Sequence, residues 1–294
     1  MLGWLIVFGS GLFLTGLAGI PASNLRASGL QIFDITVLRT VSVGAVFFLL
    51  AAIRWSISGR PALRQEHAKP LLAFAGVGVV LTNGGTTLSV ATVASYIAIP
   101  VIFGVSIATA IIIAVFAKSV VDRIDVGVSI VLILLVAMLV VGGEQTLTAS
   151  TGWALAIPIV TGVAQGVAYH AVAGCKDLDA MTFYSLGFVI GGAIMALTTA
   201  AFGLVQFQDI DMGLSAVKSL AAISIGMTVL PYIMIRVAAG KLSLISKSSA
   251  GAAEPVGGVT ADYAQGHELE GLRVAIVVVI ILIVLINQMR KRAA

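Results

Sequence analysis

Apolar runs of about twenty residues recur along this chain, divided by short connections that hold most of its charge. The stretch LRVAIVVVIILIVLIN, residues 272–287, has no polar side chain between Arg273 and Asn287. At about 1.5 Å per residue, a helix of about twenty residues matches the ~30 Å hydrocarbon core of a bilayer. Strands of a membrane barrel would be about half as long and would alternate polar with apolar residues, which these runs do not do. Helices therefore follow. Composition agrees: 59% of residues are hydrophobic and 10% charged, with a mean hydropathy of +1.11, whereas about a quarter of a soluble chain is charged. The chain reads as an integral membrane protein with room for about ten spans and no separate soluble domain.

Spans are expected near 2–20, 35–53, 70–90, 93–116, 126–143, 152–173, 181–205, 215–236, 243–263 and 270–288. The first has no basic residue ahead of its apolar run, so it is expected to be a retained span rather than a cleaved signal. The single cysteine, Cys175, excludes an intramolecular disulfide and makes no metal site alone. Under the ten-span reading, Arg54, Arg60, Arg64, Lys69, Lys118, Arg123, Lys176, Arg236, Lys241, Arg290, Lys291 and Arg292 fall on one side of the membrane. Only Arg26, Lys218 and Arg273 fall on the other, with Arg39 and Lys247 inside spans. The positive-inside rule then puts both termini in the cytoplasm. One helix more or fewer would scramble this segregation.

Ten spans divide into five and five, and an odd-numbered unit repeated in tandem inserts its second copy upside down. Residues 1–146 and 147–294 are the expected repeats. SVGAVFFLL, from Ser42, aligns with IGGAIMALT, from Ile190, setting Gly44 on Gly192. At similar offsets Gly76 pairs with Gly226, Pro100 with Pro255 and Gly127 with Gly271.

Pro100 within Tyr96-Ile-Ala-Ile-Pro100, Glu254-Pro255, and Gly266-His-Glu268-Leu269 after it resemble features of the drug/metabolite transporter superfamily, in its ten-helix EamA branch. Lys118-Ser119 departs from that pattern, standing where the first repeat would have Gly-Glu. The resemblance spans the whole chain. It implies that spans one to four and six to nine surround a central substrate cavity, with five and ten as outer supports or a dimer contact. It also implies export from the cytoplasm, with amino acids, aromatic ones included, as the leading substrates.

Candidate site residues are the polar groups inside spans, since an ionisable side chain at bilayer depth costs roughly 2.5–3.5 kcal/mol on insertion scales and so faces protein or a wet cavity. Ser243–Tyr263 carries two such groups, Lys247 and Glu254. Glu254 precedes Pro255, whose missing N–H and ring disturb a helix, and it is a candidate for proton exchange during export or for a structural hydrogen bond. Lys247 lies seven residues earlier and either snorkels to water or binds a substrate carboxylate, with Ser248 beside it. Arg39 could hold a carboxylate, pair with Asp34 or snorkel. Thr82 and Asn83 open a polar, glycine-containing patch through Thr87 where backbone could unwind beside a cavity, or which is the fraying outer end of its span. Gln165 and Tyr169, one turn apart, share a helix face. His170 is a proton-relay candidate or an ordinary interhelical hydrogen-bonding group. Tyr96, Tyr184 and Tyr232 could stack on a ligand, and Trp153 suits the membrane interface. Pro100, Pro231 and Pro255 are expected to break or kink their helices. Gly162-x-x-x-Gly166 and Gly187-x-x-x-Gly191 suit close helix packing.

Enzyme motifs are absent from the sequence: His67, His170 and His267 are far apart, and no P-loop or Cys/His cluster occurs. Asp122/Asp125 and Asp177/Asp179 stand beside Arg123 and Lys176, as solvated ion pairs would. The expectation is an all-α carrier, without cofactor, metal or nucleic-acid partner, that moves a small molecule among membrane lipids as a monomer or homodimer in the cell's inner membrane. The alternative is a membrane-embedded transferase acting on a lipid-linked substrate.

Overall fold

The computed structural model describes residues 2–61, 63–93, 95–116, 123–141, 149–173, 178–205, 213–239, 241–242, 251 and 253–266, with scattered helical positions between 271 and 290. Every regular element among them is helical. In chain order these are α1 (Leu2–Gly16), α2 (Gly19–Ala27), α3 (Ile32–Ser58), α4 (Gln65–Ala73), α5 (Gly85–Thr92), α6 (Ser95–Phe116), α7 (Arg123–Val141), α8 (Ala149–Ala173), α9 (Ala180–Ala201), α10 (Leu214–Ala221), α11 (Leu230–Ala239) and α12 (Ala253–Ala264). Two π-helical stretches join α4 to α5 (Phe74–Gly84) and α10 to α11 (Ala222–Val229).

Among the described residues, five continuous helical runs are long and apolar enough to cross a membrane: Ile6–Ala27, Ile32–Ser58, Gln65–Val90, Ala180–Ala201 and Leu214–Ala238. Shorter apolar helices cover Ile97–Ile113, Val126–Leu135 and Ala154–Ala168. Spans one and two run further than the sequence suggested, to Ala27 and Ser58. The extra turns carry exposed Asn24, Arg26, Arg54 and Ser58, polar residues that water can solvate beyond the apolar core.

Local chemistry sets the ends. The Asp34 carboxylate accepts the Gln31 N–H at 3.2 Å at the start of α3, and Asp179 accepts the Met181 and Thr182 N–H groups at the start of α9. Such caps satisfy N–H donors that have no partner within the helix. Gly203, at φ 63°, closes α9, with the Leu204 N–H returning to the Thr199 carbonyl at 2.9 Å. A residue with a Cβ would be strained in that left-handed turn.

Packing follows the small residues. α3 lies along α9, α6 along α8, and α1 against both α11 and α12. A Cβ on Gly162 would crowd the Ile102 carbonyl and Val105, and one on Gly166 would crowd Thr109, so α8 packs directly on α6. Gly187 and Gly191 likewise receive the Phe74 ring and Val79. On α3 and α9 the contacts are reciprocal: a Cβ on Gly44 would stand 3.5 Å from Phe188, and one on Gly192 would stand 3.5 Å from Thr40. α7 packs on α6, with Leu132 buried against Phe103, Ile107, Ile276 and Ile280. Ile130, Leu134, Leu282 and Ile286 point outward. α7 and the described positions between 276 and 286 thus pack on the protein with one set of side chains and leave other apolar side chains exposed.

The Asn83 patch corrects the sequence reading. It does not unwind; the chain stays helical but widens, so the glycine-rich Phe74–Gly84 keeps its backbone hydrogen bonds with a longer repeat. Side chains adopt the same spacing. Thr82 donates to the Val77 carbonyl and Thr228 to the Ile223 carbonyl, each five residues back.

Pro100 does not break its helix, lying inside the continuous α6, whereas Pro255 sits in the first turn of α12, where no intrahelical N–H bond is due. Pro231 follows the second π stretch by two residues, and the widened turn gives its ring room. Asp179 forms an ion pair, as the sequence suggested for this connection; its partner is Arg54 at 3.2 Å, and Lys176 lies outside the described residues.

Candidate functional site

Four spans show the same order of side chains along their length. On α3, Arg39 and Thr40 come first, then Phe47, then Arg54 and Trp55. Span eight presents Thr228, then Tyr232, then Arg236, and span three presents Thr87 and Asn83 at one end and Phe74 toward the other. α9 runs from Asp179 and Thr182 through Tyr184 and Phe188 to Met195. A polar layer, an aromatic layer and a basic end are therefore stacked in register.

The polar layer is built around two ionisable groups. Arg39 is 3% exposed and Glu254 is 3% exposed, so neither reaches solvent or lipid. The Arg39 guanidinium donates from Nε and Nη2 to Thr228 Oγ1, at 3.0 and 2.9 Å, and from Nη1 to Thr87 Oγ1 at 2.9 Å. Of the three sequence readings of Arg39, this geometry discards snorkelling and the Asp34 pair, because its bonds run to two threonines on other spans. Both threonine protons are already committed, Thr87 to the Asn83 carbonyl at 3.1 Å and Thr228 to Ile223 at 2.8 Å. Only their oxygen lone pairs are left to meet the cation.

Glu254 accepts the Gln165 Nε2–H at 2.9 Å, and Thr15 of α1 lies near its carboxyl. The Thr15 hydroxyl donates its one proton to the Leu12 carbonyl at 2.6 Å, so toward Glu254 it presents oxygen lone pairs. Arg39 and Tyr232 lie within the electrostatic reach of Glu254. Neither ion pair formed among the described residues, Arg54–Asp179 or Arg64–Glu66, includes Arg39 or Glu254. Asn83 extends the layer, donating from Nδ2 to Thr40 Oγ1 at 3.2 Å.

An aromatic layer lies between this site and the basic end. Phe74 touches Phe183, Tyr184, Phe188 and Tyr232, with centroids 4.9 to 6.2 Å away. Phe47 stacks on Phe188 at 5.6 Å, and Tyr232 meets Tyr184 edge-on at 5.2 Å. Beyond it, Trp55 Nε1 donates to Thr182 at 2.8 Å, Arg54 pairs with Asp179, and Arg236 donates to the Leu178 carbonyl at 3.2 Å. The Arg236 guanidinium also lies over the Phe183 ring.

Of the residues singled out from sequence, the structure brings Glu254 to Gln165, Arg39 to Thr87, and Asn83 to α3. Thr82 is half-buried and satisfies its own helix. Tyr184 and Tyr232 belong to the aromatic layer. Lys247 and Ser248, the side chains of Tyr96, Tyr169 and Trp153, and the His170 side chain lie outside the described residues. Thr15, Thr40 and Thr228 were missed by the sequence reading. Thr15 and Thr228 are lone threonines in apolar runs and Thr40 stands beside the more conspicuous Arg39, and threonine bonding to its own backbone is ordinary in spans.

No family model and no curated protein matches the chain. Sixteen solved chains do. One, described only as "Crystal structure of protein", superposes with a TM-score of 0.74 over 95% of each chain at 15% identity. This is a multi-pass helical membrane protein. At that identity the likeness concerns the fold alone, so function rests on the site.

Proposed function

We propose that the chain is a secondary transporter of the drug/metabolite superfamily, EamA type. It exports small metabolites, amino acids first among them, by alternating access. Its halves, residues 1–146 and 147–294, are two oppositely inserted five-helix repeats. The protein sits in the cytoplasmic membrane with both termini inside, where the basic residues gather.

One observation carries the reading: Arg39 and Glu254 are buried at bilayer depth, each held by neutral groups from other spans and not by each other. A charge pair serving only stability would be joined directly, since leaving an ionised group buried without its counter-ion is strongly unfavourable. Separated in this way, the cation suits a solute carboxylate and the carboxylate suits an ammonium group or a proton. The repeat reading draws support from the π stretches, which start at Phe74 and Ala222, 148 positions apart. Gly44 and Gly192 are also 148 apart, and their reciprocal contacts with Phe188 and Thr40 exchange under the same shift.

Flux of radiolabelled amino acids in proteoliposomes tests the proposal. Saturable uptake or counterflow without chemical change of the solute is expected. Absence of flux together with metal-dependent conversion of a lipid-linked substrate would establish the transferase alternative instead.

A further inference from the structure

Both of Arg39's partners lie at the edge of a π-helical stretch, one in each half of the chain. Thr87 sits three residues beyond Phe74–Gly84, and Thr228 is the penultimate residue of Ala222–Val229. The guanidinium therefore joins span three to span eight through a residue of span two. A π turn holds one residue more than an α turn, and such turns recur at functional sites in helices. We infer that Arg39 is a specificity-determining latch: it holds the helical runs Gln65–Val90 and Leu214–Ala238 together until an anionic group on the solute takes the guanidinium from Thr87 and Thr228. For the solute, this rests on the transporter reading above.

The selectivity follows from hydrogen-bond chemistry. Thr87 and Thr228 offer neutral oxygens whose protons already belong to their own helices. A carboxylate offers a charged, bidentate acceptor that fits the planar guanidinium fork and bonds about twice as strongly as a neutral oxygen. A carboxamide offers another neutral oxygen, so it gains little over the threonines and leaves the latch closed. Charge on the solute, rather than its bulk, then releases span three from span eight. Nearby charge enters the same balance: Glu254 and Tyr232 are the titratable groups in the electrostatic reach of Arg39.

The test is a distance measurement that needs no transport. Spin labels at Thr92→Cys and Leu214→Cys, both exposed and at the end away from the basic residues, report the gap between spans three and eight in a Cys175→Ala background. In proteoliposomes the parent should give one short distance. Thr228→Val and Thr87→Val keep the side-chain shape and remove the acceptor, and each should raise the longer-distance fraction about tenfold. L-Phenylalanine should lengthen the distance in the parent, while L-phenylalaninamide should not. This arm uses the unsubstituted site and remains decisive if a variant folds poorly. Unchanged distances in both threonine variants would overturn the latch, and equal responses to acid and amide would overturn its dependence on charge. Failure of the transporter reading is distinguishable, because amino-acid flux would be absent while the threonine variants still lengthened the distance.

Discussion

The polar and aromatic layers are equally buried but differ in what burial demands of them. Phe47, Phe74, Phe183, Tyr184 and Phe188 fill space, and their contacts are apolar and tolerant of small shifts. Arg39, Asn83, Gln165 and Glu254 are held by directional bonds of 2.9 to 3.2 Å, drawn from different spans. Removing an aromatic ring leaves a void, whereas removing a polar partner leaves a neighbour unsatisfied. The aromatic layer should therefore dominate stability, and the polar layer should govern selectivity at a smaller cost in stability.

The sharpest break between the layers is expected from Phe74→Ala. Losing a ring that meets four other aromatics should destabilise the protein by about 3–5 kcal/mol, read as a loss of thermal stability in detergent. Arg39→Gln should instead weaken amino-acid transport about 10- to 100-fold, the weight of a charge-assisted bond, while melting close to the parent. If Arg39→Gln melted as early as Phe74→Ala, the division between the layers would be wrong. Glu254→Gln keeps the Gln165 bond geometry and removes the titrating group. Its flux should be the same at pH 6 and pH 8, as set in the assay, where the parent changes severalfold. An equally steep profile in that variant would refute proton exchange at Glu254. The smallest effect is expected from Thr40→Val, which removes the acceptor of a single neutral bond from Asn83 and should cost about 1 kcal/mol in stability.

The sequence displayed the helical class and the approximate spans because apolar length alone decides them. Arg39, Asn83, Gln165 and Glu254 were legible as candidates because polar groups inside such runs are conspicuous. Their partners were not: nothing local says that Thr228 will face Arg39 across 189 positions, or that Thr15 will reach Glu254. The π stretches escaped notice for a related reason. Phe74–Gly84 and Ala222–Val229 are apolar with scattered small residues, and hydrophobic period cannot separate a widened turn from an ordinary one over so short a length. Tyr184 and Tyr232 were read as possible ligand contacts because a sequence gives no neighbours for a ring. Their place in the packed layer became evident only when Phe47, Phe74 and Phe188 were brought around them.

Gly16 and Gly257 deserve one mechanical corollary. A Cβ on Gly16 would collide with the Glu254 carbonyl, and one on Gly257 with the Phe13 carbonyl, so α1 and α12 meet backbone to backbone. With no side chain between them to slide or repack, any alternating-access motion should carry the two helices together. Displacement of that pair against α8 would then be taken up at the Gln165–Glu254 bond.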